Sequence, residues 1–378
     1  MNYEFSDDVT TMRAEVNRFL TEQLPVGVVR QRIETGARLD QELWSKIAEM
    51  GWLGVAIPEE FGGVELGYEA LCMIAEEIGG VLPSVPFSSS IYLASQAILV
   101  FGSQAQKEKY LPRLAEGSMI GTFALAEGAG DPAPSAVRAQ VSAGRLSGVK
   151  FPVFDGEVAD FAIVVAQAAA QTGNGEPGLY LVDLTAPGVA RRPIESLDLG
   201  RKAAVLEFDG AAAEPLPLAD GWSAVATLLD RAAILFAFEQ VGGARAALAM
   251  ALHYAQERFA FGRPIAALQA IKHKLADIYV LTELARSNAY FGAWALDTNA
   301  PELASAAAAA RLSANDAFFE AAKENIQIHG GMGFTWDSDC HLFYRRAKQM
   351  AGNIGSSRYW RNRLVDRLLA KNENIKAA

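Results

Sequence analysis

The residues with the clearest capacity for chemistry lie late in the chain, in ENIQIHGGMGFTW, Glu324 to Trp336. An alanine-rich helical stretch meets three glycines there, Gly330, Gly331 and Gly333, just after Gln327 and His329. Glycine costs backbone order, so two readings stand side by side. Bare backbone N–H groups in such a turn form a cradle for phosphate. Alternatively, the glycines supply positive φ to a tight turn between helices. Metal chemistry has little to work with. Cys72 and Cys340 give neither a disulfide framework nor a zinc spacing, and the four histidines, 253, 273, 329 and 341, are scattered. His341 beside Cys340 reads as packing.

The elements that must carry such a turn follow from pattern and composition. A chain of 378 residues suggests two or three domains, or one large multilayer unit. With 51% hydrophobic and 21% charged residues it has a globular composition. The formal charge of −10 argues against a nucleic-acid surface, while a few converging Arg or Lys still admit an anionic ligand. No membrane span is expected, since no run of roughly 18 uncharged apolar residues occurs. The acidic, amphipathic start lacks the marks of a secretory signal, and a cytoplasmic location is the expectation.

Residues 1–118 read as helical. DQELWSKIAEMGWLGVAIP has helical spacing closed by Pro58, GYEALCMIAEEIGG ends on a Gly79-Gly80 cap, and SSSIYLASQAILVFGS and QAQKEKYLPRLAEGS continue the period. Residues 119–220 read as a β domain, with strands in GTFALAE, DFAIVVAQA and GLYLVDL and a turn or mobile loop at QTGNGEPG. Residues 221–378 return to helices, the first spanning more than thirty residues, in a bundle that also suits a subunit interface. Helices, a β insert and a helical bundle make an α+β architecture.

A second stretch, ERFAFGRPIAALQAIKHKLADI, gives the glycines a context. Arg258, Phe261, Gly262 and Gln269 in it, together with QIHGGMGF, PEEFGG and EKYLPRLAEGS, resemble the acyl-CoA dehydrogenase family over nearly the whole chain. The resemblance implies an N-terminal helical domain, a β-barrel-like middle domain and a C-terminal four-helix bundle. It implies FAD-dependent α,β-dehydrogenation of an acyl-CoA thioester. A carboxylate takes the α proton, the flavin takes the β hydride, and electrons leave to an electron-transferring flavoprotein. It also implies a tetramer with the flavin at a subunit interface. On this resemblance Arg258, Phe261, Gln269, Gln327, Gly330 and Gly331 hold the ADP half of an FAD bound mainly to the neighbouring subunit. An arginine fork suits a diphosphate.

The departures from the family pattern are as informative. Where members carry a Thr-Glu-Pro-Gly-Ala-Gly-Ser-Asp-like loop, this chain has AEGAGDPAP, with Ala126 at the hydroxyl position. In FPVFDG, Pro152 and Phe154 replace the flavin-facing Trp and the hydroxyl residue, and Phe154 is left to stack on the ring or fill its volume. The two positions that carry a catalytic Glu in different members are Ile354, followed by Gly355 and Ser356, and Ala232. Ser356 stays with the flavin-site candidates.

Two acids on the long helix remain as candidate bases. Glu239 lies two turns after Ala232 on the same face, among apolar neighbours that would raise its pKa toward that of a useful base. Its alternative is a buried carboxylate bonded to a neighbouring helix. Asp230, near the helix start, equally suits the helix dipole. Arg201 and Arg231 are expected at the surface or on CoA phosphates, and Arg345 and Arg346 paired with acids. Three functions compete: an active dehydrogenase with a relocated base; a non-catalytic subunit completing the FAD site of an active homologue; and a flavin oxidase or monooxygenase. The HGGMGFTW variant resembles the branch of heteromers acting on steroid side-chain CoA esters. Motifs that would serve a neighbour's flavin are intact, whereas those for the chain's own flavin are eroded.

Overall fold

The computed structural model describes residues 5–169, 174–219 and 221–377. Helices α1 (Asp7–Gln23), α2 (Val26–Thr35), α3 (Gln41–Glu49), α4 (Gly67–Val81), α5 (Gln96–Phe101) and α6 (Gln104–Ala115) come first. Strands β1 (Gly121–Ala124), β2 (Gln140–Ser142), β3 (Arg145–Phe154), β4 (Phe161–Ala169), β5 (Asn174–Asp183), β6 (Val189–Ile194), β7 (Ala203–Ala212) and β8 (Glu214–Pro215) follow. Helix α7 (Gly221–Glu257) leads to a short hairpin, β9 (Phe259–Ala260) and β10 (Arg263–Pro264). Helices α8 (Gln269–Asp297), α9 (Leu303–His329), α10 (Cys340–Met350) and α11 (Ser357–Ala377) complete the chain. This is the α+β order expected. The chain forms two compact units, one of Met1–Thr35, Tyr68–Pro83 and Ala233–Ala378, the other of Gly36–Gly67 and Ser84–Ala232.

The second unit is organised by a sheet of order β6-β7-β3-β2-β4-β5-β8, with β1 parallel to β4. Strand β4, FAIVVAQAA, is buried from Phe161 to Gln167 on both faces, as a continuous apolar run requires. Strand β6 is an edge, and Arg191 and Arg192 leave it charged and exposed. The expected helix at SSSIYLASQAILVFGS begins instead with a π-helical stretch, Ser88–Ser95. Its serines bond elsewhere: Ser89 donates to Asp155 at 2.5 Å, and Ser90 Oγ accepts from the Gly121 N–H at 3.2 Å. Ser89 Oγ also donates to the Pro86 carbonyl three residues back at 3.1 Å, a local bond of the kind that competes with regular helix geometry. Helix α3 stops at Glu49, not near Pro58, because Gly51 turns left-handed at φ 73°. Of QTGNGEPG, residues 171–173 lie outside the described residues, and Asn174–Gly178 already belong to β5.

The first unit is helical, and its tightest contact joins α4 to α7. A Cβ on Gly79 would stand 1.8 Å from the Glu239 carbonyl oxygen, and one on Gly242 would stand 1.7 Å from the Glu76 carbonyl oxygen. Gly79 is therefore a crossing glycine, buried inside α4, and the expected cap at Gly79-Gly80 gives way to a helix running on to Val81. Beside the crossing, the fully buried Glu76 carboxylate meets Arg13 and Arg245, each at 2.5 Å, and Arg286 at 3.6 Å. By length and composition α7 could cross a membrane, but 72% of its most apolar window is buried within the protein.

The crossing sets an expected outcome. Gly242→Ala should lower stability by about 3 kcal/mol, at the upper end of the overpacking range. Gly80→Ala should be tolerated, because its nearest obstacle is 3.8 Å away. Urea unfolding of the two variants checks the contrast.

Candidate functional site

The site grows from the end of α7. The Arg258 N–H donates to the Tyr254 carbonyl at 2.8 Å, and the Ile265 N–H donates to the Arg258 carbonyl at 2.8 Å. Between them Ala260 pairs with Arg263 around a two-residue loop, Phe261-Gly262, with φ of 55° and 73°. Two positive φ values are what a type I′ hairpin needs, and Asn-Gly is its usual sequence. A phenylalanine held left-handed is unusual, and this ring is 91% exposed at the hairpin tip. Arg258 is exposed beside it, and Gln269 is the exposed first residue of α8.

A small apolar cluster joins this hairpin to the glycine turn. Ala251 and Ala255 of α7 and Ile328 of α9 are buried, with Tyr254, Ile265, Ala266, Ile271 and Leu275 packed against them. The His329 ring stacks on Tyr254 at 4.1 Å, and its Nδ1 lies 2.8 Å from the Asn325 carbonyl oxygen. Lys274 of α8 pairs with Glu324 of α9. The segments carrying Arg258, Phe261, Gln269, Gln327, Gly330 and Gly331 are thus held around one cluster, within one compact unit.

The three glycines divide by role. Gly333 is buried, and a Cβ there would meet the Ile326 carbonyl oxygen at 2.5 Å, so the fold itself requires it. Gly330 ends α9 at φ 61° and ψ −136°, a conformation for glycine. Gly331 has neither a positive φ nor any atom within 4 Å of a would-be Cβ. Among the described residues, nothing demands that it be bare. Gly330 and Gly262 are equally open. Around them Phe334 is 83% and Met332 54% exposed. Open glycine backbone of this kind is the chemistry that can cradle a phosphate.

The candidate acids sit differently. Glu239 is buried, with Oε1 3.8 Å from Arg346 Nη1, and the carbonyl of Pro83 accepts from Arg346 Nη2 at 3.4 Å. Arg311 is also fully buried. Burial pushes its pKa down to about 9, against the opposing charge of Glu239. Its guanidinium donates to Gln240, to the Met350 carbonyl and, at 2.7 Å, to Asn353. That network braces the loop carrying Ile354, which is buried. Ser356 Oγ accepts from the Tyr359 N–H at 3.2 Å and so caps α11. In the other unit, Asp230 and Ala232 are both buried.

On the sheet, Phe154 is half-buried at the end of β3, and its carbonyl accepts from Thr122 Oγ1 at 2.7 Å. Arg201 departs from expectation: it is buried, donating to Asp155 at 2.9 Å and Ser88 at 2.8 Å, with neither a surface nor a free head. Arg231 is likewise buried. The Asp155 carboxylate supplies the pairing that a buried guanidinium such as Arg201 requires. Arg346 does pair with an acid, as expected. Sequence reasoning missed Glu127 of the AEGAGDPAP loop. It accepts from Lys150 at 2.6 Å and from the Arg138 and Ala139 N–H groups at 2.9 and 3.0 Å. Lys150 is buried, and burial lowers its pKa while Glu127 opposes the shift. The lone Lys in an otherwise alternating strand was the available signal.

Comparisons with known proteins identify the family. Residues 6–118 match the acyl-CoA dehydrogenase N-terminal domain, and residues 219–369 match the C-terminal domain. The chain is 31% identical over 348 residues to acyl-CoA dehydrogenase IpdE2 of Mycobacterium tuberculosis, covering 92% of this chain and 93% of that one. The ChsE4-ChsE5 complex from Mycobacterium tuberculosis superposes with TM-score 0.88 at 27% identity, over 98% of this chain and 99% of that one. The steroid ACAD Tcur3481-Tcur3483 superposes with TM-score 0.85 at 31% identity, over 97% and 99%. This chain belongs to the acyl-CoA dehydrogenase family.

Removing the Glu239 charge should leave Arg346 and Arg311 without their buried counter-ion. Glu239→Gln is expected to cost about 3 kcal/mol, the usual scale for breaking a buried pair. Urea unfolding measures the loss, and an unchanged midpoint would show that the pair is not structural.

Proposed function

We propose that this chain is a subunit of a heteromeric, FAD-dependent acyl-CoA dehydrogenase, and that it completes the FAD site of a homologous, catalytically competent subunit. The observation that carries the reading is Gly331. It is bare, open and without a positive φ, beside Gly330 and three residues after Ile328, a member of the cluster against which Ile265 of the Arg258 hairpin segment packs. A surface kept free of side chains without need in its own protomer is a surface prepared for a ligand. The likeness to the ChsE4-ChsE5 complex, to Tcur3481-Tcur3483 and to acyl-CoA dehydrogenase IpdE2 supports the same reading.

In this assembly Arg258 would meet the diphosphate with its fork, a charge-assisted contact. The Gly330-Gly331 backbone would hold the phosphates, with Gln269 and Gln327 as amide donors. Phe261, exposed at the hairpin tip, would shield the group from water. Bound FAD supplies the acceptor for the β hydride of the acyl thioester. The α proton goes to a carboxylate of the partner subunit, because Ile354 and Ala232 are apolar and buried here. Glu239 and Ser356 serve the fold, as ion pair and helix cap; Asp230 and Phe154 have no assigned step. Electrons pass on to an electron-transferring flavoprotein. A tetramer, a cytoplasmic setting and a bulky acyl group such as a steroid side chain belong to the same proposal.

Flavin content tests it. The chain purified alone should be nearly colourless, and co-expression with its homologous subunit should give a yellow complex that acyl-CoA bleaches anaerobically. In that complex Arg258→Ala and Gly331→Val should each weaken FAD binding about tenfold or more, the scale of a lost charge-assisted contact. A yellow homomer that acyl-CoA bleaches, and that Glu239→Gln inactivates without unfolding, would instead establish a catalytic chain. Rapid peroxide release in air would mark an oxidase.

A further inference from the structure

The glycine turn has little apolar anchoring of its own. From Gly330 to Asp339, Gly333 is the one buried residue. The segment is a string of short turns: the Thr335 N–H donates to the Met332 carbonyl at 3.0 Å, and the Ser338 N–H to the Thr335 carbonyl at 3.3 Å. The thiol of Cys340, at its far end, reaches the Gly333 carbonyl at 3.6 Å. Something else must fix where this backbone stands.

Helix α2, some 300 residues earlier in sequence, supplies that hold. Arg30 Nε donates to Asp339 Oδ1 at 2.8 Å, while Arg30 Nη2 donates to the same carboxylate and, at 2.6 Å, to the Asp337 carbonyl. One turn on, Glu34 Oε1 accepts from Trp336 Nε1 at 3.0 Å. Residues four apart lie on one helix face, so Arg30 and Glu34 grip the segment at three residues, 336, 337 and 339. Trp336 is further held by stacking on His341 at 4.7 Å, with the Arg345 guanidinium 6.0 Å from its ring. The Arg30–Asp339 pair is partly buried, with side chains 23% and 25% exposed. That is a setting in which a forked, charge-assisted contact fixes geometry as well as adding energy.

We propose that Arg30, with Glu34, is a positioning residue: the α2 clasp sets the place of the Gly330–Phe334 turn and thereby the affinity of the assembly for FAD. The inference rests on the function proposed above for that turn. Arg30 itself touches no ligand in this account. It acts through Asp339, Asp337 and Trp336 on a run of backbone that lacks a core of its own, so loss of the clasp loosens the diphosphate cradle while the helical core stays packed.

Two measurements on the co-expressed complex test the clasp separately from the function. The first is backbone hydrogen exchange over residues 330–339. Arg30→Ala should speed exchange there about tenfold, the scale of a coupling carried through such a network, and leave α7 and α9 unchanged. The second is FAD titration of the deflavinated complex. Arg30→Ala and Asp339→Ala should each weaken binding about tenfold, with the double variant no worse than either single one. Arg30→Lys should fall short of wild type because a point charge cannot fork, and the swap Arg30→Asp with Asp339→Arg should recover part of the loss. Unchanged exchange in Arg30→Ala, or single variants that bind FAD within twofold of wild type, would overturn the clasp. If wild type itself bound no FAD, the proposed function would fail, and exchange alone would decide whether the clasp holds the turn. General destabilisation would show as faster exchange throughout the unit and no recovery in the swap, which also counts against the proposal.

Discussion

The candidate site depends on a modest apolar contact, the packing of Ala251 and Ala255 of α7 against Ile328 of α9. Small side chains at the seam let the helices approach closely, and Tyr254 and Ile271 fill the flanks. Around this cluster sit the Arg258 hairpin, the start of α8 and the end of α9, whose sequences are far apart. Each brings a different chemical part: a fixed cation, amide side chains, and a bare backbone turn. Without the cluster these parts would have no common frame. With it they are gathered within one compact unit, where Phe261 and Phe334 are exposed.

The interior of the helical unit is organised around buried guanidinium groups. Arg311 and Arg346 enter the core and are met by Glu239, Gln240, Asn353 and backbone carbonyls. Such networks hold their members in one arrangement, since any broken link leaves a buried charge exposed to a low dielectric. The loop at Ile354 is tied to Arg311 through Met350 and Asn353, with Ile354 buried.

Much of this was legible in the sequence. The helical periods of α7, α8 and α9 are long and strong, and the Gly- and Val-rich middle stretch announced the sheet. What sequence could not show were contacts made by tertiary crowding. Gly79-Gly80 looks like a helix cap until α7 is seen pressing on Gly79. The serines of SSSIYLAS look helical until Asp155 and Gly121 draw their hydroxyls away. Arg201 looks like a surface charge until its buried partner 46 residues away is known. For the glycines the chemistry was visible but the division of labour was not. That Gly333 serves packing while Gly331 serves no internal need emerges only from the space around each.

The most direct test of the account is a density map of the assembled heteromer with its flavin. The account predicts the FAD diphosphate lying on the Gly330-Gly331 backbone beside Arg258 of this chain, with the ring system seated mainly in the homologous subunit. A map in which neighbouring side chains plug that turn, leaving no space for a dinucleotide, would contradict it.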